Sequence, residues 1–86
     1  MSKNNMPGVD SQYEREIFGQ NFRIARIKIG LSQRDVHRLT GVAQSHISEI
    51  ETGASNISID TMVKLGTVVK QPLWKLFRPI GTKTKE

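Results

Sequence analysis

The amino-acid sequence predicts an all-α, compact bundle of five helices with flexible N- and C-terminal tails. Three observations carry that prediction. Apolar residues recur at spacings of three and four along most of the chain, glycines punctuate the ends of those runs, and no convincing strand appears. The 86 residues suit one domain, with residues 13–80 as the folded unit. A chain this short buries only about 60–65% of its unfolded surface, so its stability depends on close packing.

Residues 1–12 are polar, are broken by Pro7-Gly8, and read as a flexible arm. From Tyr13 to Ile29, Phe18, Phe22, Ala25 and Ile29 line one face of a first helix. Gly30 ends it, and Leu31 folds back over the last turn. Ser32 has N-cap chemistry for a short second helix, with Val36 and Leu39 inward and an end at Thr40-Gly41. In a third helix Ala43, Ile47 and Ile50 point inward, while Gln44, Ser45, Ser48, Glu49 and Thr52 form an unbroken polar stripe. Gly53 closes that helix. A fourth begins near Ser58 and carries Ile59, Met62, Val63, Leu65 and Val69, with Gly66 allowing another helix to approach. Pro72 suits the first turn of a fifth helix, whose Leu73, Trp74, Leu76 and Phe77 are apolar and which Pro79 stops. Residues 81–86 read as a disordered tail.

Composition narrows the function. Thirteen Lys+Arg against eight Asp+Glu give a net charge of +5, which favours polyanionic partners. Residues 14–39 carry six bases and three acids, residues 43–62 carry only Glu49, Glu51 and Asp60, and residues 63–86 carry six bases and one acid. Basic flanks around an acidic centre fit flanks that hold a polyanion while the centre selects. The absence of cysteine excludes disulfides, thiolate-held zinc and a cysteine nucleophile, and fits a reducing, cytoplasmic setting. No apolar run reaches the ~20 residues of a membrane span. His37 and His46 lack the companions a zinc site needs, so no metal or cofactor is expected. They read instead as a packed histidine and as a surface or phosphate-contacting one. Ser45, His46 and Ser48 make no triad, because helix neighbours point apart and no orienting acid accompanies them. The chain does not read as an enzyme.

Two short helices meeting at Gly41, with a polar stripe on the second, have what a helix-turn-helix requires. The glycine permits the sharp turn, and Val36, Val42, Ile47 and Ile50 lock the helices. A ridge about 10–12 Å wide then stands ready for a major groove of similar width. Gln can pair with adenine, Glu can accept from the cytosine amino group, and Ala43 can touch a thymine methyl.

The blocks GLSQRDV at Gly30–Val36, TGVAQSHISEIETG at Thr40–Gly53 and ISIDTMVKL at Ile57–Leu65 stand in order. From about Phe18 to Phe77 the chain resembles the phage-repressor and Cro-like helix-turn-helix regulators, the xenobiotic-response-element class. The resemblance implies a five-helix domain that binds double-stranded DNA as a homodimer on a palindromic operator. It places Gln44, Ser45 and Glu49 at base-reading positions, with Ser48 and Ala43 beside them. Ser32, Gln33, Arg34, His46 and Asn56 fall at positions that hold the DNA backbone. It pairs Arg26 with Glu51 and implies a dimer interface at Trp74, Phe77 and Ile80. Three departures stand out: His37 replaces a usual alanine, Ile57 and Ile59 lie where some members carry bases, and Lys70-Gln71 replaces a common glycine and aliphatic residue.

The first helix also carries a second apolar face, of Tyr13, Ile17, Ile24 and Ile27, which could meet the chain's own tails, a second copy or another protein. That face keeps open an antitoxin-like or other protein-interaction role. A restriction–modification controller also fits this size and motif.

Overall fold

A computed structural model describes residues 10–80; the arm before Asp10 and the tail 81–86 lie outside the described residues. The elements are α1 (Gln12–Lys28), α2 (Gln33–Thr40), α3 (Gln44–Thr52), α4 (Ile59–Val68) and a 3-10 helix (Leu73–Phe77). Four helices and a 3-10 turn thus replace the expected five helices. The reason lies in the two prolines. Pro72 is the N-cap, extended at ψ 149°, and Arg78, ahead of Pro79, is held extended at ψ 137°. Only five residues remain between them, and Lys75 closes the tighter turn by donating its N–H to the Pro72 carbonyl at 3.0 Å.

The caps follow from side-chain chemistry. Ser32 and Asp35 form a reciprocal capping box: the Asp35 N–H donates to Ser32 Oγ at 2.9 Å, and the Ser32 N–H donates to Asp35 Oδ2 at 2.8 Å. Those hydrogen bonds, backbone first, and the nearby Arg38 guanidinium hold the Asp35 carboxyl below its usual 3.8. Ser58 caps α4 through the Thr61 N–H at 3.1 Å. The α2–α3 turn needs Gly41, which sits at φ 80° in the left-handed region. Lys70 takes the same handedness at φ 62°, a backbone conformation that glycine adopts most readily. The first helix starts at Gln12, not Tyr13, because Asp10 Oδ1 accepts the Gln12 N–H at 3.0 Å.

α1 lies across the bundle, packed on α3 and on the 3-10 helix, while α2 packs on α3 and α4. Phe18, Phe22, Val36, Ile47, Ile50, Leu65, Val69 and Leu76 are buried together. Phe77 tilts against Phe18 with ring centroids 5.5 Å apart. Asn21 Nδ2 donates to the Leu76 and Arg78 carbonyls at 2.9 and 2.8 Å, tying the 3-10 helix to α1. Gly19 sets the α1–α3 separation, since a Cβ there would stand 2.0 Å from the Ile50 carbonyl oxygen. At Gly66 the close neighbours are the Gln71 carbonyl and Leu76 rather than another α-helix.

Several inward placements are corrected. Leu39 is 63% exposed and Ile29 is exposed as the C-cap of α1. Ala43 is exposed because it caps α3 instead of joining its inner face. His37 is exposed, with Nδ1 2.8 Å from the Val42 carbonyl, so it braces the turn from outside instead of packing between the helices. Ile17 leaves the proposed second face of α1 for the core, while Tyr13, Ile24 and Ile27 remain exposed.

Arg26 and Glu51 join α1 to the end of α3. Their side chains are 10% and 3% exposed. Arg26 Nε donates to Glu51 Oε2 at 2.6 Å, and its Nη2 donates to Oε1 at 3.0 Å. The remaining nitrogen, Nη1, donates to the Leu31 carbonyl at 2.9 Å, so all three guanidinium nitrogens are used. Gln33 Nε2 also donates to Glu51 Oε1, at 3.0 Å.

Glu51→Ala is expected to destabilise the domain by about 3–5 kcal/mol in denaturant melts, because it strands a buried cation; an Arg26→Met/Glu51→Leu pair is expected to cost far less than the two single changes summed. For Asp35 the sign is equally definite. Its folded-state pKa is lowered, so its contribution is present above the unfolded value and disappears as pH falls through the folded one. The melting temperatures of wild type and Asp35→Asn should therefore converge as pH falls below about 4.

Candidate nucleic-acid interface

α3 has two unlike sides. Ile47, Ile50 and Glu51 are buried against the domain, whereas Gln44, Ser45, Ser48, Glu49 and Thr52 are exposed. Among the described residues no hydrogen bond engages the side chains of Gln44, Ser45 or Ser48, while Thr52 Oγ1 turns back to the Glu49 carbonyl at 3.0 Å. Amide and hydroxyl groups left facing solvent on a locked helix can exchange water for base edges without disturbing the fold. Ala43 leads this stripe from the N-cap position.

His46 is half-buried at its edge. Its Nδ1 lies 3.3 Å from Ser55 Oγ and 4.0 Å from Glu49 Oε1. Ser55 thus folds the α3–α4 loop back beside the first turn of α3. The adjacent Asn56 is exposed, and its Oδ1 accepts from Arg15 Nη1 at 3.4 Å.

At the start of α2 the expected backbone-contacting residues divide. Arg34 is exposed and has no carboxylate partner among the described residues. The Ser32 hydroxyl is engaged by its own helix, and the Gln33 amide is engaged by Glu51. The residues expected at a dimer interface divide as well. Trp74 is 64% exposed, under a Lys75 ammonium 5.7 Å from its ring, and Ile80 is exposed. Phe77 instead packs into the domain against Phe18.

Sequence reading missed Arg15 and Gln12. Both reach the α3–α4 loop, Arg15 through Asn56 and Gln12 through the Gly53 carbonyl at 3.5 Å. Each contact joins residues 41 positions apart, and no local pattern signals such a meeting. Among the described residues no three His, Asp or Glu side chains gather to hold a metal ion. No helix among them is long and apolar enough to cross a membrane.

Comparison with known proteins agrees with this geometry. The helix-turn-helix model HTH_3 matches residues 22–69, from within α1 to the end of α4. An uncharacterized HTH-type transcriptional regulator of Haemophilus influenzae is 33% identical over 69 residues, covering 64% of this chain and 70% of the relative. Among solved structures, the restriction-modification controller protein C.AhdI from Aeromonas hydrophila is 33% identical with a TM-score of 0.69, over 73% of this chain and 96% of that one. The hypothetical transcription factor NHTF from Neisseria is 25% identical with a TM-score of 0.74, over 91% and 92% of the two chains. With a buried scaffold, a glycine turn and an exposed polar helix over the matched span, the chain belongs to the HTH_3 helix-turn-helix family of DNA-binding transcriptional regulators, a non-enzymatic class.

Proposed function

We propose that the protein binds a palindromic operator as a homodimer, laying α3 in successive major grooves, and represses transcription or regulates its own gene by occupying a promoter. The observation that carries this reading is the exposed stripe on α3, where the side chains of Gln44, Ser45 and Ser48 make no hydrogen bond among the described residues. Gln44, Ser45, Ser48 and Glu49 then read base edges, with Ala43 against a thymine methyl. Arg34, Ser32, Gln33, His46 and Asn56 set the register on the phosphates. Gln33 does so as a braced group: one N–H of its amide is held by Glu51, and the second is left to donate to a phosphate oxygen. α3 contains no Arg or Lys, so binding depends strongly on a matched sequence and little on indiscriminate charge.

Exposed Trp74 and Ile80 support a two-fold contact at the 3-10 helix, with Phe77 as its inner support. A second reading comes from α1, where Ile24 and Ile27 are about half exposed on one side. A patch of that kind suits a protein partner, as in an antitoxin. The likeness to C.AhdI makes a restriction–modification controller the setting with a concrete structural parallel.

Selection of duplexes from a random pool, followed by footprinting beside the protein's own gene, tests the reading directly. Recovery of a two-fold-symmetric site is expected; recovery of no preferred duplex overturns it. On that site Gln44→Ala should relax preference at one base pair by ~1–3 kcal/mol, whereas Arg34→Ala should weaken selected and unrelated duplexes alike. Equal losses on both duplexes for Gln44→Ala would count against base reading. Sedimentation of the free protein should give a dimer for wild type and a monomer for Trp74→Glu, with the melting profile of the monomer unit retained.

A further inference from the structure

We propose that Arg15 is an additional phosphate-binding side chain, delivered to the DNA backbone by α1 and set beside Asn56 on the loop that flanks α3; this rests on the DNA-binding reading above. Among the described residues, Arg15 is an arginine with no carboxylate partner. Its Nη1 donates to Ser11 Oγ and to Asn56 Oδ1 (3.4 Å), and its Nη2 donates to Gln12 Oε1 at 2.6 Å. All three acceptors are neutral. The ion pairs among the described residues involve other cations, and the adjoining residues 1–9 contain no Asp or Glu. Among the described residues its Nε is buried with no hydrogen-bond partner.

The contrast with Arg26 is chemical. That guanidinium fills every nitrogen, two of them on a carboxylate. Arg15 stays charged at any working pH, and a donor kept from water without a partner is costly. By turning outward on its flexible stem the head group gives up only neutral partners and presents Nε and Nη together, the planar fork that matches a phosphate.

Position identifies the anion. Asn56, which touches Arg15, follows Ser55, and Ser55 contacts His46 on α3. Gln12, one turn before Arg15, reaches the Gly53 carbonyl at the end of α3. The first turns of α1 are thus bound to the loop beside the recognition helix. The other candidate backbone contacts on a helix N-terminus, Ser32, Gln33 and Arg34, come from α2, so Arg15 supplies an independent one. α3 brings no cation of its own, which leaves neighbouring elements to meet the phosphates.

The test is a salt titration of binding, followed by fluorescence anisotropy, on a duplex recovered by selection and on an unrelated duplex. Arg15→Ala is expected to lower the slope of log K against log salt by about 0.9 on both, and Arg15→Lys is expected to retain it. A second variant guards against misfolding. Ser11→Asp places a carboxylate beside Arg15 at the N-cap of α1, where aspartate is a favoured residue. It should lower the slope in wild type but add nothing to Arg15→Ala, a cycle that isolates the pair. Unchanged slopes in Arg15→Ala and Ser11→Asp at native melting temperature make Arg15 a structural residue and overturn the proposal. If Arg15→Ala fails to fold, Ser11→Asp alone decides. A wild type that binds no duplex overturns the DNA reading itself, an outcome distinct from binding with a slope indifferent to Arg15.

Discussion

The Arg26–Glu51 fork sets where α3 stands, and the stripe on α3 inherits its position from that contact. Glu51 lies one turn beyond Ile47 and next to Ile50, both buried. Its carboxylate is held by two nitrogens of one guanidinium and by the Gln33 amide. Because Arg26 also holds the Leu31 carbonyl, the same group fixes the exit of α1 and the approach to α2. One buried charge pair therefore orients three helices at once. A buried pair adds little net stability compared with apolar residues of the same size. Its value here is directional, since a planar fork tolerates one mutual orientation where methyl groups tolerate many.

Packing supplies what the fork does not. Gly19 lets the backbones of α1 and α3 close until no Cβ would fit beneath the Ile50 carbonyl. On the other side of α1, Phe18 meets Phe77, and Asn21 holds the carbonyls of Leu76 and Arg78. The longest described helix is thus the common support of α3 and of the 3-10 helix, although it contributes no residue to the α3 stripe. A shift of α1 would move both surfaces together.

Much of this was legible in the sequence because the signals are local. Ser32, Gly41, Gly53 and Ser58 mark helix ends through capping and left-handed chemistry within four residues. Phe18, Phe22, Val36, Ile47, Ile50 and Leu65 follow from spacing alone. Spacing fails where it cannot say how far the covering elements extend, so Ile29 and Leu39 read as inward yet lie beyond the cover. It also cannot separate an α-turn from a 3-10 turn over five residues, since Leu73, Leu76 and Phe77 satisfy either period; the flanking prolines decide. The Arg26–Glu51 pairing came from family resemblance, not from the residues. The contact between Arg15 and Asn56 has no local signal, because their meeting depends on the tertiary arrangement of α1 over the α3–α4 loop.

Gln44, Ser45 and Ser48 are bound to nothing within the described chain, while Ile47, Ile50 and Glu51 interleave with them and hold the helix down. Adjacent positions on nine residues of helix therefore face opposite selective pressures. The outward ones can drift through many side chains at nearly constant stability, whereas the inward ones are confined to a narrow set. On the proposed base-reading role of the outward positions, such a division would let a lineage acquire new target sequences by a few substitutions, with its framework untouched.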